Sequence, residues 1–188
     1  MTNQNFTHKI CLIYGNQQLL VEETTNSLID QCLEGREHEW SLERFNAQEI
    51  LKPSGDSGKN SVDDFLISCE TLPMLSDRKV IQLDNFELIK KAVKKNDNSA
   101  AARLFEAVQN IINNPPESLW FIFTSPVMRE QDFSKPLFRS IKQSGRIQKF
   151  VAYDNSSPFN WVVQRGEKKG LPLSADAARL MINIVGND

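Results

Sequence analysis

An apolar stretch that ends in a glycine turn, residues 10–14 followed by Gly15, stands where phosphate-binding loops begin in α/β proteins. Such a loop reads G-x-x-x-x-G-K-[ST], in which backbone N–H groups and the lysine hold phosphates and the hydroxyl binds Mg²⁺. Here the glycine is followed by Asn16, Gln17, Gln18, Leu19 and Leu20. The pattern therefore predicts a degenerate nucleotide site at Gly15 and Asn16, which leaves weak nucleotide contact open but argues against tight triphosphate binding.

Two further stretches imitate nucleotide-hydrolase motifs. Residues 55–61, GDSGKNS, contain the Gly-Lys pair, but Pro53 stands where the first glycine belongs and Asn60 where the Ser or Thr belongs, so we reject this match. The predicted strand over 79–83 ends in VIQL and is followed by Asp84, which imitates strands whose carboxylate holds magnesium. Because only one acid is present, a structural strand ending is the favoured interpretation, and Asp84 joins the degenerate nucleotide-site positions.

No other group of residues predicts catalysis or a bound cofactor. The three cysteines, Cys11, Cys32 and Cys69, are far apart in apolar or helical patterns, which predicts buried free thiols and neither a disulfide nor a zinc site. The two histidines lie in polar surroundings and form no cluster that could bind metal or activate a nucleophile. We therefore predict a protein without catalytic residues, metal or cofactor, and not an enzyme.

The segment 71–78, TLPMLSDR, carries the most information about binding. Pro73 ends a predicted helix, and Met74 and Leu75 follow in a short connection before a predicted strand. Two consecutive large apolar side chains at such a corner either tuck beneath the sheet or project as an anchor for a partner's pocket. The pattern by itself favours the tucked arrangement and leaves the projecting one open.

Five runs of strand length alternate with helical patterns, which predicts a parallel five-stranded α/β sheet flanked by helices. The first and fourth runs are almost wholly apolar, as expected of central strands that are covered on both faces. The predicted strands are 10–14, 40–45, 79–83, 119–124 and 147–151, and the predicted helices are 19–33, 61–71, 100–113 and 136–142.

The pattern changes after residue 152, where a turn-rich linker leads to two predicted helices. Ser157 is a plausible N-cap for a helix over 158–169, and Ser174 for a helix over 175–185 that Gly186 closes. We expect an α/β domain over 1–152 and part of a small helical lid domain over 153–188. The alternative is a helix pair that packs back onto the sheet.

Composition limits the possible partners. The 188 residues have a net charge of −2, which gives no general attraction to nucleic acid or anionic membranes. The basic run 90–95 could touch DNA phosphates, but a solvated helix end is the more common arrangement. Since the sequence shows neither a signal peptide nor a membrane span, we expect a cytoplasmic protein without membrane contact.

The order and spacing of several short motifs resemble the delta-subunit family of the bacterial DNA polymerase III clamp loader over essentially the whole chain. The residues that carry this resemblance are Tyr14-Gly15 with Leu19, Leu20 and Glu22-Glu23; Arg44-Phe45; the segment 71–80; Asn114-Pro115-Pro116; residues 161–165 with Gly170-Leu171; and residues 185–188. The resemblance implies a RecA-like or AAA+ sheet whose phosphate loop has been lost, in a non-hydrolysing component of a DNA-replication complex.

The resemblance also implies a binding site and partners. Met74 and Leu75, with Leu72 and Pro73, match the family's hydrophobic residues that insert into a pocket of the sliding clamp, the beta subunit, and help to open the ring. Leu75 stands where relatives frequently have an aromatic residue. The family's collar domain, which joins delta to the other loader subunits, would begin beyond Asp188, and primed DNA would be met through the assembled complex.

Two other functions remain as alternatives on the sequence. One is a nucleotide hydrolase with a divergent phosphate loop at Gly15, which tight binding and turnover of magnesium-ATP would reveal. The other is a different inactive AAA+ assembly subunit, for which an arginine finger would be the signal. The sequence shows no arginine in a motif of that kind.

Overall fold

The computed structural model describes residues 8–35, 38–52, 61–71, 77–91, 98–150 and 158–185. The chain divides into two compact units, Met1–Val151 and Ala152–Asp188. The described residues of the first unit include a five-stranded sheet, and those of the second include two helices.

The sheet of the first unit has the strands β1 (Ile10–Tyr14), β2 (Leu42–Asn46), β3 (Lys79–Asp84), β4 (Leu119–Ser125) and β5 (Arg146–Lys149). All are parallel, and they lie in the order β2-β3-β4-β1-β5. Because β1 and β4 are interior strands, their apolar runs are covered on both faces, as predicted. The predicted fold class, a RecA-like α/β sheet flanked by helices, is confirmed.

Four helices of this unit, those near residues 19–33, 61–71, 100–113 and 136–142, follow the predicted patterns with boundaries that differ by at most two residues, whereas two single-turn helices were not predicted. In chain order, these helices are α1 (Gln18–Leu33), α2 (His38–Ser41), α3 (Ala47–Ile50), α4 (Val62–Glu70), α5 (Ala100–Asn113) and α6 (Lys135–Ser144). The start of α4 is fixed by a capping box, in which Ser61 and Asp64 bond each other's backbone N–H groups. The prediction of strand at residues 40–41 is wrong, because these residues belong to the single turn α2.

Successive residues of β1 point to opposite faces of the sheet and enter two separate cores. Cys11 and Ile13 pack with Val80, Ile122 and the buried side of α1. Ile10, Leu12 and Tyr14 lie in a larger cluster with the aromatic rings of the other face. In that cluster the Phe86 and Phe123 rings are stacked, with their centroids 4.8 Å apart. Both faces of β1 are therefore shielded from water, and all five residues of the run ICLIY are buried.

The thiols are held in their neutral form by the cores that surround them. Cys11 and Cys32 are buried, and Cys69 is half-buried. Burial raises the pKa of each of these thiols to about 12. Since the thiolate is the reactive form, none of the three is prepared for nucleophilic chemistry near neutral pH. Among the described residues no group of three or more His, Cys, Asp or Glu side chains could hold a metal ion.

The second unit contains α7 (Pro158–Lys168) and α8 (Ala175–Val185). The predicted cap of α8 is present, since the N–H of Ala177 donates to Ser174 Oγ at 3.2 Å. Ser157 and Gly186, the predicted start and end signals, lie outside the described residues. Within the part of the chain that the structure describes, no helix is long and apolar enough to cross a membrane.

Candidate functional site

The turn from β1 to α1 is short and tightly packed. It consists of Gly15, Asn16 and Gln17, after which α1 begins. The backbone N–H of Gly15 donates to Ser125 O at 3.1 Å, and φ of Gly15 is +142°. A side chain at this position would place its Cβ 1.7 Å from the backbone oxygen of Phe150. The glycine is therefore required by the chain that leaves β5, and only Asn16 and Gln17 separate it from α1.

Beside this turn a cleft of about 300 Å³ lies between α1 and the carboxyl ends of β2, β3 and β4. Two of the three predicted nucleotide-site positions, Gly15 and Asp84, line it, whereas Asn16 lies in the turn and does not. The other lining groups include Glu22, Arg44, Thr124 and Ser125. In position the cleft corresponds to the ligand crevice of open α/β sheets, which lies outside the carboxyl ends of the strands.

The carboxylate of Asp84 is bonded to neighbouring side chains of the sheet. Its Oδ1 accepts from Gln82 Nε2 at 2.8 Å and from the hydroxyl of Thr124 at 2.5 Å. Gln82 in turn accepts from Arg44 Nε at 3.2 Å. These bonds form a chain across three adjacent strands, β2, β3 and β4. Asp84 thus has the protein partners expected of a structural strand ending.

Replacing Asp84 by alanine is expected to lower the free energy of unfolding by about 1–2 kcal/mol, because Gln82 and Thr124 would both lose their shared acceptor. Urea unfolding of the whole chain measures the change. Asp63→Ala is the matched control, since that carboxylate is exposed and pairs with Arg103 at the surface. The control should have little effect. An equal effect of both substitutions would contradict a structural role for the Asp84 network.

The predicted clamp-binding residues Leu72, Pro73, Met74 and Leu75 lie outside the described residues, and so do Lys94 and Lys95 of the basic run. The structure does describe the two flanks of the 72–75 segment. On one side α4 ends at Glu70 and Thr71 follows. On the other side Arg78 precedes β3, whose first residue is Lys79.

Sequence reasoning gave no role to Lys79, which the structure places in the interior. The residue is only 3% exposed, although it is a lysine at the start of a strand. Its ammonium group pairs with Glu43 Oε1 at 2.5 Å and donates to the backbone oxygen of Ser68 at 2.8 Å. The sequence does contain a signal for this burial: the lysine directly precedes residues 80–83, VIQL, at a strand position that adjoins the core.

The parallel sheet, its strand order and the glycine turn into α1 define a RecA-like α/β architecture. Within this class the chain belongs to the family of the DNA polymerase III delta subunit, whose family model matches residues 11–150. The expected family resemblance is thereby confirmed.

Solved structures share this fold. The chain is similar to the Bacillus subtilis DNA clamp loader delta protein (YqeN), with a TM-score of 0.63 and 15% identity over 93% of this chain and 48% of that one. It is also similar to a chain in the structure of the E. coli MS115-1 HORMA:CdnC:Trip13 complex, with a TM-score of 0.56 and 11% identity over 96% and 60% of the respective chains. The chain thus spans about half the length of the delta protein. No curated protein matches it.

Proposed function

We propose that this chain is the clamp-binding part of a clamp-loader delta subunit, which binds the sliding clamp and helps to open the ring for loading onto DNA. The observation that carries the proposal is membership of the delta-subunit family over residues 11–150, a range that includes the whole segment 71–78. Met74 and Leu75, flanked by Leu72 and Pro73, are the proposed contact residues. They supply the two large apolar side chains that an anchor in a hydrophobic pocket requires.

Ring opening in this proposal follows from differential binding. A partner shifts a conformational equilibrium only by as much as its affinities for the two states differ. Met74 and Leu75 would therefore bind a pocket that is more accessible in the opened ring than in the closed ring. No energy source within this chain is needed for such a shift.

We further propose that the chain does not hydrolyse ATP. Two observations support this: the turn at Gly15 is short, and the Asp84 carboxylate is hydrogen-bonded to Gln82 and Thr124. A hydrolase needs a longer loop to hold phosphates and a carboxylate available to hold magnesium. In the full-length subunit, contacts with other loader subunits would be made through the collar domain, and primed DNA would be reached through the assembled complex in the cytoplasm.

Calorimetric titration of this chain with the sliding clamp of the same organism tests the proposal. We expect saturable binding with a dissociation constant in the micromolar range or below. A parallel titration with magnesium-ATP should show no tight binding and no turnover. The opposite pair of results, with no binding to the clamp and turnover of ATP, would favour the alternative of a divergent nucleotide hydrolase.

A further inference from the structure

The buried ammonium group of Lys79 joins three parts of the chain. It pairs with Glu43 on β2, at 2.5 Å from Oε1. It donates to the backbone oxygen of Ser68 in the last turn of α4 at 2.8 Å, and lies 3.4 Å from the backbone oxygen of Thr71. A lysine side chain is rarely buried without such partners, and here they include both a carboxylate and helix-end carbonyls.

Lys79 supplies the C-terminal cap that the sequence of α4 lacks. Helices often end with a glycine in the left-handed conformation, whose N–H bonds the last carbonyls. Here the C-cap is Thr71 in an extended conformation. Its N–H and hydroxyl both donate to Ile67 O, at 2.9 and 2.7 Å. The ammonium group satisfies the next carbonyl, that of Ser68, and places a positive charge at the negative end of the helix dipole.

The same contacts hold both ends of the proposed clamp-binding segment. Thr71 precedes Leu72 directly, and its carbonyl is held by Lys79, which lies on the other side of the segment. The neighbouring Arg78 fixes that second end. Its guanidinium donates to Cys32 O at 3.3 Å, pairs with Glu34 at 2.5 Å and lies 5.1 Å from the centre of the Trp120 ring. The two flanks are thereby tied to α1, α4 and the sheet.

We propose that Lys79 is a positioning residue for clamp binding, which fixes the direction in which the chain leaves α4 at Thr71, directly before the proposed contact segment. The inference rests on the proposed function. Joining the ends of a loop restricts its conformations before binding, and a restricted loop loses less entropy when it docks. Lys79 itself need not touch the clamp.

Lys79→Met in the whole chain is the test, because methionine keeps an unbranched apolar stem and removes the cation. The variant is expected to fold, since its former partner Glu43 is 47% exposed and its carboxylate stays hydrated. We expect clamp affinity to fall by about tenfold or more. Amide hydrogen exchange at residues 74–77, measured without the clamp, should accelerate, while exchange in β4 stays unchanged. Lys79→Arg should recover part of the affinity.

The matched control is Arg103→Met, which removes an exposed cation that pairs with Asp63 near the opposite end of α4. It should leave clamp affinity and exchange at residues 74–77 as in the wild type. The inference is overturned if the wild type binds the clamp and Lys79→Met binds equally well with unchanged exchange. It is also overturned if exchange in β4 rises as much as in the segment, which would indicate general destabilisation. Failure of the wild type to bind would instead reject the proposed function.

Discussion

Simultaneous replacement of Met74 and Leu75 by alanine is expected to weaken binding of the sliding clamp by at least about a hundredfold. Complete burial of the two side chains in a pocket would contribute roughly 3 to 5 kcal/mol of transfer free energy. Ordering and association costs apply to wild type and variant alike, so most of the difference should be seen in the affinity. Calorimetric titration, or displacement of a labelled wild-type chain, measures it.

A second pair of exposed residues of the same types provides the control for this experiment. Met128 and Leu88 are 46% and 39% exposed, and Leu88 follows the carboxyl end of β3, whereas the clamp-binding segment precedes its amino end. Met128→Ala with Leu88→Ala should keep wild-type affinity. Both double variants should unfold at nearly the wild-type urea concentration. Wild-type affinity in the Met74, Leu75 variant would refute the assignment of the site.

Replacement of Gly15 by alanine is expected to lower the free energy of unfolding by about 3 kcal/mol or more, and to leave little folded protein at elevated temperature. The new Cβ would lie 1.7 Å from Phe150 O and 2.4 Å from its carbonyl carbon. Both are backbone atoms, so no side-chain rotation relieves the clash. The neighbouring chains are also fixed, since Phe150 N–H donates to Tyr14 O at 2.8 Å. Urea unfolding measures the loss.

Gly35→Ala separates the steric effect from the conformational one. Gly35 also has a positive φ, +82°, but among the described residues, its own atoms and its chain neighbours aside, no atom lies within 4 Å of the position of its Cβ. This control should therefore show only the conformational penalty, about 1 kcal/mol. If the two variants lost similar amounts of unfolding free energy, contact with the Phe150 backbone would not be the reason that position 15 needs glycine.

The elements of the sheet could be predicted because their apolar patterns are long and uninterrupted. Both faces of β1 and β4 are buried, and such strands show as continuous runs. The turn α2 was missed because four residues show no helical period, and the apolar side chain of Trp40 resembled the start of a strand. Trp40 is in fact 56% exposed.

The partners of the site residues could not be predicted because they come from distant parts of the sequence. Asp84 bonds Thr124, and Lys79 bonds Ser68 and Glu43, only after the strand order has brought these elements together. No local pattern contains that order. The sequence could suggest which groups lie at the carboxyl ends of the strands. It could not show that a lysine of β3 would cap the C-terminus of α4. The assignment of Met74 and Leu75 stays a prediction.

Lys79 and Asp84 are the first and last residues of β3, so the buried ammonium group and the cleft belong to opposite ends of that strand, whose end residues lie roughly 17 Å apart. The two sets of contacts nevertheless meet on β2, where Glu43 pairs with Lys79 and the next residue, Arg44, donates to Gln82 of the Asp84 network. The flanks of residues 72–75 and the cleft are therefore linked through two consecutive residues of one strand.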